Sequence, residues 1–129
     1  MSIVLDTNAY SSLLFGDNKI LALIESADII YISVFVLGEL YAGFRGGNME
    51  QRNMDLLKKF LLKPQVTILN ATNETSLIFG NIKNILKKAG TPLPINDVWI
   101  ASHSIETDSM LISYDNHFLK IPGLKLYNF

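Results

Sequence analysis

Apolar residues come in two rhythms along this chain, and their alternation sets the fold expectation. Short runs of four or five, IVLD (3–6), IIYIS (29–33), VTIL (66–69) and MLIS (110–113), read as strands one to four. LKLYN (124–128) reads as a possible edge strand. Between them the period lengthens to that of a helix. KILALIESA (19–27) sets Ile20, Leu23, Ile24 and Ala27 on one side, and MEQRNMDLLKKFLL (49–62) does the same with Met54, Leu57 and Leu61. AYSSLLF (9–15) predicts a short helix stopped by Gly16 and Asp17. Ser33 can cap a helix that runs to Phe44 before RGG (45–47) breaks it. Thr72 can cap one that reaches Lys88 with Gly90 as its stop, and a last helix begins around Asn96 and ends near Thr107. Strands that alternate with helices of these lengths predict an α/β fold, a three-layer α/β/α sandwich around a central parallel sheet.

Ligands of such sheets bind beyond the C-terminal strand ends, where the strand order reverses. Function is therefore expected at Asp6, around Ser33–Glu39 and at Ser113–Asp115.

Composition narrows the class. A length of 129 residues suits one domain, 1–129, with a sizeable core. The 49% hydrophobic content and mean hydropathy of +0.26 suit elements buried on both faces. With no cysteine, disulfides and thiolate metal sites are out, and a cytoplasmic protein is the default. No signal peptide is recognisable, and the longest apolar run, IIYISVFVLG (29–38), is shorter than the roughly 20 residues a membrane span needs. The net charge of −1 speaks weakly against nucleic acid. Setting four acids aside as metal ligands leaves 11 cationic and 8 acidic residues, a net of +3. The cations cluster at Arg52, Lys58, Lys59 and Lys63, and again at Lys83, Lys87 and Lys88.

Each of those four acids has an ordinary explanation. Asp6 could cap the next helix, though Thr7 or Asn8 would serve as well. Asp97 sits in a first helical turn, where the dipole favours a carboxylate, and Asp115 suits a turn. Glu39 is harder to dismiss. It is the one charge between Ile29 and Phe44, and burying it there is costly unless it reaches water or a partner such as Arg45. Together the four fall on the ligand-binding edge of the expected sheet. Converging carboxylates raise one another's pKa values, and a divalent cation relieves them. All-oxygen ligands favour Mg²⁺ or Mn²⁺, which can polarise a phosphate and activate water for phosphodiester hydrolysis. His103 falls on another helical face from Asp97 and suits packing or the surface. His117 could touch substrate but is more simply a loop histidine. No GxGxxG, P-loop or GxSxG occurs.

LDTN (5–8), GEL (38–40), INDVWIA (95–101) and ISYDNHF (112–118) with IPGL (121–124) behind it, in that order, resemble the PIN-domain family, and within it the VapC toxins of prokaryotic toxin–antitoxin pairs. The resemblance runs from Ile3 to Leu124. It implies an Mg²⁺- or Mn²⁺-dependent endoribonuclease, with Asp6, Glu39, Asp97 and Asp115 as catalytic and metal-binding acids. Asn8 and Ser113 match supporting polar positions, Ser113 where many members carry threonine. An RNA substrate held by the lysine clusters, a homodimer and an antitoxin partner are implied as well. Tyr10, Phe15, Tyr41 and Phe44 could offer that partner an apolar groove, unless most of them are core. Two rivals stand beside this reading. One is an aspartate-nucleophile phosphatase on Asp6, disfavoured by Asn8 where a second acid belongs. The other is a catalytically silent RNA- or protein-binding module.

Overall fold

The computed structural model describes residues 1–129. Four strands, β1 (Ser2–Leu5), β2 (Ile29–Ser33), β3 (Val66–Leu69) and β4 (Met110–Ile112), form one parallel sheet in the order β3-β2-β1-β4. Successive strand residues point to opposite faces, and Ile3, Val4 and Leu5 are all fully buried. Both faces of β1 are therefore covered, as the unbroken apolar run required. Edge strand β3 is only half-covered, with Thr67 and Ile68 exposed.

Six helices make the outer layers: α1 (Thr7–Leu14), α2 (Asn18–Ser26), α3 (Val34–Phe44), α4 (Glu50–Leu61), α5 (Asn73–Ala89) and α6 (Ile95–Glu106). The four main strands and six helices expected are all present, with small shifts at their ends. α1 starts at Thr7 instead of residue 9 because Asp6 itself caps it, its carboxylate accepting the Ala9 amide at 2.8 Å. Ser33 caps α3 through the Phe35 amide, and Thr72 caps α5 in a reciprocal box with Thr75. Gly90 ends α5 at φ +68°, a left-handed conformation that glycine adopts without strain.

Two expectations need correction. Residues 124–128 form no strand; they touch the sheet through one parallel bridge, Leu111 to Leu126, since β4 is only three residues long. Asp115 caps a 3₁₀ turn, Asn116–Lys120, so the turn expected at this acid is present and His117 lies within it rather than in an open loop.

α6 is buried almost all round, with Val98, Ile100, Ala101, Ser102, His103 and Ser104 inside. Ser102 meets its hydrogen-bonding need by donating to the Val98 carbonyl at 2.6 Å. Because α6 packs on β1 and β4, its first turn arrives at the C-terminal end of the sheet. β2 and β3 extend the sheet to one side of β1 and β4 to the other, so the strand order reverses between β1 and β4.

Candidate active site

At that reversal the chain leaves β1 on Asp6 and β4 on Ser113 and Asp115. Asp6, Glu39, Asp97 and Asp115 line one cavity of about 340 Å³, together with Thr7 and Asn8. Four elements thus bring acids that lie up to 109 residues apart in the chain to one cleft.

Each acid is held differently. Asp6 is 5% exposed, and its pKa is pushed up by burial. The Ser113 hydroxyl and the Ala9 amide oppose that rise, while the charges of Asp97 and Asp115 add to it. Ser113 also accepts the Asp115 amide at 3.0 Å, so its single proton remains free for Asp6. One buried hydroxyl thereby couples the two strand ends.

Glu39 lies on α3 and is half-buried. Its partner is not Arg45, which reaches toward Glu50 at 3.9 Å. Instead the Thr7 hydroxyl donates to Glu39 Oε1 at 2.5 Å. The residue after Asp6 therefore serves a different acid from its neighbour.

Asp97 has its pKa raised, first by burial and further by the charges of Glu39 and Asp115, with His117 acting the other way. His117 is the site residue that sequence patterning undervalued. Its Nε2 lies 2.9 Å from Asp97 Oδ2 and its Nδ1 3.0 Å from Asp115 Oδ1. The Nε2 contact is close but not aligned as a hydrogen bond. The 3₁₀ turn sets it there, its His117 amide donating to Asp115 Oδ1 at 3.1 Å. A histidine two residues beyond a strand-end acid was the available signal, but its reach back to Asp97 is visible only in space.

Asn8 is exposed at the rim. His103, on the buried side of α6, stands apart from the cleft, its Nε2 donating to the Asn70 carbonyl at 3.3 Å.

A hard divalent ion suits this donor set. The Thr7 hydroxyl holds Glu39 by Oε1 and the His117 amide holds Asp115 by Oδ1, while Asp97 Oδ2 lies against the His117 ring, so each acid keeps a second oxygen as a possible metal donor. The repulsion felt at Asp6 and Asp97 is the kind a cation removes. As the side chains stand, no three of them close on a common point.

Beside the cleft, and sharing Thr7 and Glu39 with it, runs a groove of about 500 Å³ between α1, α3 and α4. Leu14, Phe15, Leu40 and Phe44 line its apolar half, and Arg52 stands among its polar residues. Of the aromatics expected to form a groove, Tyr10 and Phe44 are core at 1% and 8% exposure, whereas Phe15 is 91% exposed. Tyr41 is exposed but lines a separate depression with Lys58.

The family model described as PIN domain matches residues 3–124. The chain is 30% identical to ribonuclease VapC1 of Haemophilus influenzae over 97% of its own length and 96% of that protein. Its fold is similar to that of VapBC-1 from nontypeable Haemophilus influenzae, at a TM-score of 0.87 and 27% identity over 99% of this chain and 98% of that one. It is similar also to VapBC2 from Rickettsia felis bound to a promoter DNA fragment, at 0.84 and 28% identity with the same coverage.

Proposed function

Since the chain belongs to the PIN-domain family, we propose that it is an endoribonuclease, the toxin half of a toxin–antitoxin pair, with Asp6, Glu39, Asp97 and Asp115 as its catalytic acids. The observation that carries this reading is the cavity those four carboxylates share at the strand-order reversal. Relatives named as VapC ribonucleases and fold neighbours solved as VapBC complexes support it.

The four carboxylates would hold Mg²⁺ or Mn²⁺, which supplies Lewis acidity toward a phosphodiester and activates water as the nucleophile. The chain's own residues do the positioning. Asp6, on the end of a buried strand and locked by the Ala9 amide, is the stiffest member. Thr7 fixes Glu39, and Ser113 with the 3₁₀ turn fixes Asp115. His117 lies between Asp97 and Asp115, within 3.0 Å of each. Asn8, at the open rim, is placed to hydrogen-bond a phosphate oxygen or water.

The 129 residues work as one PIN-like domain in the cytoplasm, as a homodimer. No helix is long and apolar enough to cross a membrane. The groove carrying Phe15 is the docking site for an antitoxin segment, which would cover Glu39 and Thr7 as it binds.

The test is cleavage of labelled RNA by the purified chain in Mg²⁺ or Mn²⁺. EDTA and Asp97→Asn should each stop it. A phosphorylated Asp6 would move the chain to the phosphatase class, and RNA binding without cleavage under every metal would leave only a binding module.

A further inference from the structure

The first turn of α6 and the last turns of α5 lie side by side, and that neighbourhood contains a cationic pocket the acidic site does not account for. α5 and α6 form an antiparallel hairpin joined by residues 90–94. Thr75 near the start of α5 donates to Glu106 at the end of α6 at 2.9 Å, and one turn further along Phe79 stacks on Trp99 at 3.9 Å between ring centroids. One more turn along α5 reaches Lys83, and one turn back along α6 from Trp99 reaches Ile95. Lys83 is thus level with the turn that carries Asp97.

Lys83 and Lys87 face one cavity of about 380 Å³, with Asn84, Gly90, Pro92 and Leu93. Pro94, the next residue, already lines the acidic cleft, so consecutive residues of one loop line the two cavities. Lys83, Lys87 and Lys88 are all exposed, and none takes part in an ion pair. Like charges one helical turn apart are mildly unfavourable, so setting Lys83 beside Lys87 costs α5 a little, while Lys87 and Lys88 suit its C-terminal dipole. On α4, Arg52 lines the groove beside Glu39, and Lys58 is placed otherwise. Lys58 shares its depression with Asp55, and no residue lining that depression is next in the chain to one lining the acidic cleft.

Building on the nuclease reading, we infer that Lys83 and Lys87 form a backbone-phosphate subsite. They hold the single-stranded RNA segment flanking the cleavage position, and Lys58 and Lys59 on α4 take no part. The chemistry is complementary: a polyanion entering a cleft of four carboxylates needs cations immediately beside it. Asn84 adds donors for phosphate oxygens, and Pro92 with Leu93 offers an apolar floor for a base.

The experiment measures binding of a fluorescent single-stranded RNA to the Asp97→Asn chain in EDTA across a KCl series. Lys83→Ala with Lys87→Ala should weaken binding about tenfold at low salt and flatten the logarithmic salt slope by roughly 1.4, two contacts at about 0.7 each. Lys83→Arg with Lys87→Arg should restore the slope, and Lys58→Ala with Lys59→Ala should leave it unchanged. Equal loss in the α5 and α4 doubles, or an unchanged slope in the α5 double, overturns the subsite. An α5 double that loses antitoxin but keeps its RNA isotherm assigns the pocket to an acidic protein segment instead. Failure of the unmutated chain to cleave any RNA in Mg²⁺ or Mn²⁺ sinks the nuclease reading itself; intact cleavage with an unchanged slope sinks the subsite alone.

Discussion

The Thr7 hydroxyl donates to the Glu39 carboxylate at 2.5 Å, joining the residue just past β1 to the middle of α3. A hydrogen bond to a charged acceptor contributes about 1.5–3 kcal/mol, and here it aims an acid that lacks any cationic partner. Thr7→Val keeps the shape and removes the donor. It should lower kcat/KM for RNA cleavage about tenfold or more, whereas Thr7→Ser should stay near the parent. Steady-state cleavage at saturating Mg²⁺ reads the difference.

Asp6 performs two duties that substitution can separate. As the cap of α1 it stabilises the fold, yet its charge is buried and repelled by Asp97 and Asp115. Asp6→Asn retains the capping oxygen and removes the charge, so cleavage should vanish while the melting temperature in EDTA holds or rises. Asp6→Ala loses the cap too and should be about 1 kcal/mol less stable than Asp6→Asn. Thermal unfolding of the two variants side by side checks this.

How much of this site could be read from sequence depends on the residue. Glu39 announced itself as a lone charge in a long apolar run, and Asp6 and Asp115 as acids at strand ends. The parallel sheet was equally legible, because Ile3, Val4 and Leu5 leave no polar face to expose. What patterning could not supply is cross-chain pairing. Thr7 finding Glu39, Arg45 turning to Glu50, and His117 reaching Asp97 are contacts between residues set by packing rather than spacing. The 124–128 segment looks like a strand because its apolar residues alternate, but three-residue β4 gives it too little edge to pair with.

His103 should make stability depend on pH. The ring is fully buried, its Nε2 donates to Asn70, its Nδ1 has no partner, and burial holds its pKa below the ordinary 6.5. As pH falls below 6.5 the unfolded chain takes up a proton that the native ring refuses, so stability is lost. The loss continues until pH drops past the depressed native value and then levels off. Urea unfolding at pH 7.5 and 5.5 should show a smaller acid-side loss in His103→Gln than in the parent.

Phe15 offers a clean probe of the groove proposed for the antitoxin. At 91% exposure it makes little contribution to the core, whereas Phe44 at 8% does, so a charge at Phe44 would confound docking with unfolding. Phe15→Asp should leave the melting temperature within a degree or two of the parent, as surface substitutions commonly do, and weaken antitoxin binding at least tenfold. Calorimetric titration with the cognate antitoxin measures the loss.

The central claim is that Asp6, Glu39, Asp97 and Asp115 act jointly on a divalent cation. Mn²⁺ titration of the purified chain, followed by calorimetry, addresses it without reference to turnover. The account predicts saturable binding that weakens at least tenfold in each of Asp6→Asn, Glu39→Gln, Asp97→Asn and Asp115→Asn. Binding of the same affinity in the parent and in all four variants would contradict it.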